Sequence, residues 1–386
     1  MRVGVDARIV HYARGGIRNY VLHLLEALTS LDADIDYYVL RSRKVRIPVL
    51  SPPPGLRPQG GNQSTLGSGI NVHAVPCWTP PHHRLERWAL GMEVVRLGLD
   101  LLHSPDFIPP TFGYRRSVIT IHDLNFLHYP QFLTAESHRY YNEQIEWAVQ
   151  TADHILSDSQ ATKSDLNSLL GVPPDKVTVV YLAADPACRP LPDAESRRVA
   201  ARYGLEPGYL LFVGTLEPRK NLPGLLQAYR LLLDEDVTSA PLVLVGGKGW
   251  LYDEIFRRVE ELHLAEQVRF FHGVSDVALV GLYNCASVLV MPSFYEGFGL
   301  PALEAMACGT PVVVAERASL PEVVGDAGLL IDPDSPGDIA QALARVLTDP
   351  VLRDRMRERG LSRAARFTWE ESARQTLAVY RQVLAR

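Results

Sequence analysis

Short aliphatic and β-branched runs alternate with amphipathic stretches along almost the whole chain. In the first half, runs at 2–6 (RVGVD), 37–41 (YYVLR), 70–75 (INVHAV), 101–105 (LLHSP), 117–123 (SVITIHD), 154–159 (HILSDS) and 177–182 (VTVVYL) predict strands. Helical patterns separate them, as at 17–28 (IRNYVLHLLEAL) and from Glu136 to Thr151. The pattern then restarts, with strands predicted at 209–214, 241–247, 268–273, 287–292, 310–316 and 328–332. Apolar runs without a polar face, each followed by a helix, predict parallel sheets covered on both sides. The expected fold class is α/β, with two Rossmann-like, doubly wound parallel-sheet domains facing a central cleft.

The proline- and charge-rich stretch 183–198 (AADPACRPLPDAESRR) marks the junction. The expected division is a first domain over 1–184, a linker over 185–202, a second domain over 203–366 and a last helix over 367–386. Residues 51–69 (SPPPGLRPQGGNQSTLGSG) have the composition of a mobile loop.

Composition narrows the function classes. A length of 386 residues suits two cores, and a net charge of −5 with interspersed signs gives no basic face for nucleic acid. No apolar run approaches the roughly 20 residues of a membrane span, and MRVGVDARIV reads as a strand, not a signal sequence. Four scattered cysteines without metal-type spacing suit a reducing, cytoplasmic compartment. In 78–98 (WTPPHHRLERWALGMEVVRLG), Leu85, Trp88, Met92 and Val95 recur at helical spacing, with Arg84, Arg87 and Arg96 elsewhere on the wheel. The expectation is a core-facing stripe; the alternative is peripheral contact of the first domain with the inner face of a membrane.

The candidate chemistry clusters where predicted strands end. In 296–305 (EGFGLPALEA), Glu296 lies on the loop after strand 287–292, and Pro301 opens a helix whose first turn is expected to carry Glu304. Amides of Phe298, Gly299 and Leu300 at that helix start suit a phosphate, and a carboxylate one turn on suits a vicinal diol. Either glutamate alone reads equally as a solvated or dipole-favoured charge. In 213–222 (VGTLEPRKNL), Arg219 and Lys220 precede a helix start whose dipole repels them, which an anion held there would resolve. Gly15-Gly16 and 245–250 (VGGKGW) are incomplete glycine loops, and His122-Asp123 end a strand at the expected cleft. The acidic pairs Asp32/Asp34, Asp234/Asp236 and Asp332/Asp334 read as solvated charges, so no metal is expected.

Taken in order, the Gly-Gly loop, IHDL, GTLEPRKN and Glu-x7-Glu resemble the retaining glycosyltransferases of the GT-B fold, family 4, and among them bacterial GDP-mannose-dependent α-mannosyltransferases. The resemblance covers essentially the whole chain. It implies donor contacts from Gly15, Gly16, Arg219, Lys220, Phe298, Gly299, Leu300 and Glu304, with Glu304 on the ribose and the two cations on the diphosphate. It places Glu296 and His122 against hydroxyls of the transferred sugar, as the catalytic pair. It implies a nucleotide-sugar donor, most closely GDP-mannose, a glycan or lipid-linked glycan acceptor, no further cofactor and no metal. Rival readings are a UDP- or ADP-sugar transferase, a sugar-nucleotide epimerase, a glycoside hydrolase and a non-catalytic nucleotide-sugar-binding protein.

Overall fold

A computed structural model of the chain describes residues 1–11, 15–32, 34–44, 71–83, 85–132, 135–249 and 251–386. The loop expected at 51–69, Arg84 and the residues just before Gly15 lie outside the described residues. The chain forms two compact units. The first comprises Met1–Leu124, Glu136–Leu182 and Thr368–Arg386, and the second Asn125–Ala135 and Ala183–Phe367.

Among the described residues, the first unit carries strands β1 (Arg2–Asp6), β2 (Asp36–Ser42), β3 (Asn71–Cys77), β4 (Leu99–Ser104), β5 (Tyr114–Ile121), β6 (His154–Ser157) and β7 (Val177–Val179). They pair in parallel in the order β3-β2-β1-β4-β5-β6-β7. The second unit carries β8 (Leu210–Val213), β9 (Leu242–Val245), β10 (Val268–Phe271), β11 (Val288–Met291), β12 (Val312–Ala315) and β13 (Leu329–Ile331). These are also parallel, in the order β10-β9-β8-β11-β12-β13. Both sheets are doubly wound, and strand order reverses after β1 in one and after β8 in the other. Central strands such as β11 and β12 are almost wholly buried, which is why they read as unbroken apolar runs.

The expected linker is in part a helix of the second unit. Asp193–Ala201 is helical, with Asp193 and Glu195 in its first turn and Arg198 in its last, a charge order that favours the helix dipole. It packs on the helix Asp276–Cys285, where a Cβ added to Gly281 would lie 2.6 Å from Val199 Cβ. The prolines that suggested a linker end at Pro192, immediately before this helix. Residues Asn125–Ala135 also belong to the second unit. Tyr129 stacks on Phe132 with centroids 5.3 Å apart, and its hydroxyl donates to the Phe294 carbonyl at 3.3 Å.

The helix Trp369–Ala385 completes the first unit by packing along the helix Gly16–Leu31. Its Trp369 ring stacks on His23, and Ser372 Oγ donates to the Tyr181 carbonyl at 2.6 Å. Tyr380 Oη meets His103 Nδ1 at 2.7 Å, and His103 Nε2 meets Thr120 Oγ1 at 2.8 Å, which in turn meets the Tyr20 hydroxyl at 2.9 Å. All four side chains are buried, and burial holds His103 neutral, its pKa lowered to about 3. Replacing Tyr380 by Phe strands a buried ring nitrogen. A loss of about 1–3 kcal/mol in urea-denaturation stability is expected; an unchanged midpoint would show that the relay contributes nothing.

Candidate active site

In the second sheet, the two sequence motifs meet because β8 and β11 are neighbours at the point of reversal. The chain leaving β8 forms a single 3-10 turn, Pro218–Lys220, and Asn221 (φ 53°) then caps the helix Leu222–Asp234. Asn221 Oδ1 accepts from the Gly224 amide, and Nδ2 donates to the Pro333 carbonyl at 2.6 Å. The chain leaving β11 runs through Ser293 and Glu296 to Gly299, which caps the helix Leu300–Ala307. Gly299 has φ 101°, and an added Cβ would lie 2.6 Å from Leu320 Cδ2, so this position tolerates only glycine. Nearby, Gly246 in VGGKGW has a structural reason. A Cβ there would overlap the Gly214 carbonyl oxygen, at 1.8 Å.

Glu296 is buried and saturated. Its Oε1 accepts from Lys220 Nζ at 2.7 Å and Ser293 Oγ at 2.7 Å, and its Oε2 from Lys220 Nζ at 2.9 Å and Arg219 Nη1 at 3.2 Å. A carboxylate offers about four acceptor positions, and these four bonds take them. Arg219 also donates through Nε and Nη2 to Glu217 Oε1 and through Nη1 to the Tyr295 carbonyl at 2.9 Å. Burial alone would raise the Glu296 pKa, but the Lys220 and Arg219 charges outweigh it and hold the carboxylate ionised. The two cations that oppose the helix dipole are thus balanced within the chain by Glu217 and Glu296.

The helix start at Leu300 has no side-chain cap; Pro301 has no amide hydrogen and the Ala302 amide donates to the Gly299 carbonyl at 3.0 Å, so the amide that the first turn can present is that of Leu300. The Phe298 and Glu296 carbonyls share the Ser319 hydroxyl at 2.9 and 2.7 Å, which fixes the loop leading into that start. Glu304 lies in the second turn of the helix, one turn deeper than the sequence reading put it. Its Oε2 accepts from the buried Tyr283 hydroxyl at 2.8 Å. Arg219, Lys220, Glu296, Phe298, Gly299, Leu300 and Glu304 therefore come from two loops that leave adjacent strands. Ser293, Ser319, Glu217 and Tyr283 support them and were not singled out from the sequence. Of these only Glu217 carries a sequence signal, since it lies inside GTLEPRKN.

The first unit carries the remaining predicted residues. Gly15 (φ 94°, ψ −145°) caps the helix opening at Gly16. His122 follows β5, and both its ring nitrogens have protein partners: Nδ1 meets Asp158 Oδ2 at 2.6 Å and Nε2 meets the Pro105 carbonyl at 2.8 Å. Burial opposes both charges, yet Asp158 and Asp106 raise the His122 pKa to about 9, so the ring is an imidazolium donating twice. The polar atoms of His122 and Glu296, the pair expected to meet sugar hydroxyls, thus each have protein partners.

A second buried network was not legible in the sequence. Arg8 forms a bidentate pair with Asp6 at 2.6 and 2.8 Å, and donates to Glu86 Oε1 at 2.6 Å and the Thr79 carbonyl at 2.8 Å. Burial raises the Glu86 pKa to about 7 against the pull of Arg8. His82 pairs with Asp106 at 2.6 Å. Arg8 draws Glu86 inward, so the stripe of Leu85, Trp88, Met92 and Val95 faces outward, contrary to the core-facing expectation. Among the described residues no group of three or more His, Cys, Asp or Glu side chains suits a metal ion. The acidic pairs are engaged elsewhere, with Asp32 on Arg381, Asp234 on Arg230 and Asp334 on Arg317.

Comparison with known proteins adds a family. A model described as glycosyl transferases group 1 matches residues 195–363, and one described as glycosyltransferase family 4 matches residues 14–188. O-antigen chain mannosyltransferase B from Escherichia coli is 39% identical over 302 residues, 78% of this chain and 78% of that protein. Sucrose-phosphate synthase from Thermosynechococcus elongatus has a TM-score of 0.77 at 22% identity, covering 100% of this chain and 99% of that one. Anabaena HepE, solved with UDP and glucose, has a TM-score of 0.74 at 17% identity, covering 99% and 100%. At such identities the two structures establish the fold, which is GT-B.

The His122–Asp158 pair sets a pH dependence. A histidine whose pKa is raised to about 9 on folding contributes stability that is complete below its unfolded value, near 6.5, and is lost as pH rises through about 9. Urea stability is expected to decline by about 3 kcal/mol over that window, and Asp158→Asn to remove most of the decline. NMR titration of the His122 ring should show a midpoint near 9 in the native chain. A midpoint near 6.5 in both proteins would overturn the assignment.

Proposed function

We propose that this chain, which belongs to glycosyltransferase family 4, transfers mannose from GDP-mannose to a glycan or lipid-linked glycan during polysaccharide synthesis, with retention at the anomeric carbon. The observation that carries the reading is the joining of Lys220, Arg219, an uncapped helix start and Glu304 by two loops leaving adjacent strands. Transfer of a glycosyl group breaks the bond between the anomeric carbon and the diphosphate oxygen. Negative charge then grows on the diphosphate and positive charge on the ring. Preformed donors aimed at the leaving group lower that barrier, and removing one such donor typically costs about 3–4 kcal/mol.

Each residue has a chemical task in this reading. The amides of the 298–300 turn, at the helix start, take a phosphate. Lys220 has three N–H donors, two of them directed to Glu296; the third serves a phosphate oxygen. Glu296 holds Lys220 and Arg219 at a defined position and supplies the countercharge that keeps two cations together in a buried place. Glu304, with one oxygen steadied by Tyr283, accepts from ribose hydroxyls. Retention then follows from attack on the face the diphosphate leaves, with a departing phosphate oxygen taking the acceptor's proton. The mannosyl choice draws support from the name of the Escherichia coli relative. A UDP-sugar donor is the second reading, favoured by the likeness in fold to HepE solved with UDP and glucose.

Thermal-shift measurement against GDP-mannose, GDP, UDP-sugars and ADP-sugars tests the proposal. GDP-mannose and GDP are expected to raise the melting temperature by several degrees, about 3 kcal/mol at a hundredfold excess over Kd. Glu304→Ala and Lys220→Ala, each compared with its own ligand-free midpoint, should lose the shift. Stabilisation by UDP-sugars alone would discard the mannosyl donor and keep the transferase.

A further inference from the structure

The loop leaving β11 carries a second feature just ahead of Glu296. Phe294, Tyr129 and Phe132 bring three rings together, each of them partly exposed. Tyr129 and Phe132 are parallel within 5°. Phe294 lies 6.1 Å from Phe132 and 6.3 Å from Tyr129, inclined to them at 28 and 32°. Its backbone is tied to the candidate site, since the Phe294 amide donates to the Arg219 carbonyl at 2.9 Å. In the same loop Tyr295 and Phe298 are buried, whereas Phe294 is left at the surface. Polar groups rim the rings. Arg317, just beyond β12, reaches the Tyr129 hydroxyl and pairs with Asp334 at 2.6 Å and Asp332 at 3.6 Å, both just beyond β13. Because β11, β12 and β13 are consecutive in the sheet, rings and rim share its carboxyl edge, where doubly wound folds take ligands.

We infer that this platform binds a hexose of an uncharged glycan, as a subsite for the acceptor chain beside the sugar that receives the new residue. The inference rests on the transfer reading for what that chain is. One face of a pyranose ring presents C–H bonds whose hydrogens are slightly positive, and these suit the negative face of an aromatic ring. The edge of the same sugar carries hydroxyls, which carboxylates and a guanidinium bind. Phe132 backs Tyr129, and the Tyr129 hydroxyl is held at 3.3 Å from the Phe294 carbonyl, so the rings are set before a ligand arrives. Asp334 Oδ2 is engaged by Arg317, and Oδ1 is open to a sugar hydroxyl. Charge selects the class of sugar. The rim sets one guanidinium against two carboxylates, and Glu316, next to Arg317, is exposed as well. Such a rim repels phosphorylated sugars and uronates and leaves neutral hexoses unopposed. A nucleobase would stack on the same rings, but the diphosphate it carries would meet these carboxylates. A transferase with this subsite favours acceptors long enough to reach it.

Saturation-transfer NMR of the full chain with α-mannotriose, maltotriose, trigalacturonate and GDP, without any sugar donor, tests the inference separately from transfer. Mannotriose should receive saturation at its C–H groups. Phe294→Leu, which keeps apolar bulk and removes the ring face, should weaken that binding about tenfold. Asp334→Ala, at an exposed position, should weaken it about threefold with an unchanged melting temperature, and so serves if the loop variant is unstable. Binding of maltotriose in place of mannotriose, weakened by the same substitutions, would keep the platform and discard the mannosyl reading. No binding of either neutral trisaccharide, full binding by both variants, tighter binding of trigalacturonate, or displacement of the trisaccharide by GDP would each overturn the inference.

Discussion

The carboxylate of Glu296 holds the second unit's chemistry in place. It joins a cation pair on the loop after β8 to the loop after β11 through four hydrogen bonds. Removing one member of a buried ion pair commonly costs about 3–5 kcal/mol, because the partner is left charged and dry. Here Lys220 would be stranded close to a helix start that repels it, while Arg219 would keep its pair with Glu217. The arrangement is therefore a set: Glu296 is what allows Arg219 and Lys220 to be there, and Ser293 and Ser319 fix the loop that carries it.

The first unit solves a similar problem with different residues. Asp6, Asp106, His122 and Asp158 all lie at or just beyond the carboxyl ends of its strands, and each is held in a short ion pair. Every buried cation there has a carboxylate within hydrogen-bonding distance. Such pairs contribute little net stability against an apolar replacement, but they give polar side chains one geometry each.

What could be read from the sequence divides along a physical line. The strands were legible because both sheets are covered on two faces, so that β11 or β12 appears as an unbroken apolar word. The loops were legible because glycine and proline mark strand-to-helix turns. Long-range pairing was not. Lys220 and Glu296 are 76 residues apart, and His122 and Asp158 are 36 apart; nothing local announces either bond. Composition did not show the helix Asp193–Ala201 within 185–202, whose exposed charges favour its dipole. Period alone failed at Leu85–Val95, since a helix with two candidate faces is oriented by whichever polar residue has a buried partner, and Glu86 has Arg8.

The place of Thr368–Arg386 in the first unit has a consequence for synthesis. His103, in β4, and Tyr20, in the first long helix, reach their final surroundings only when Trp369 and Tyr380 arrive. On the ribosome the earlier half of the chain must wait, incomplete, while the later half is translated and closes on itself. The second unit is thus the first to be finished, and the surface that Trp369 and Tyr380 will cover stays open during the interval.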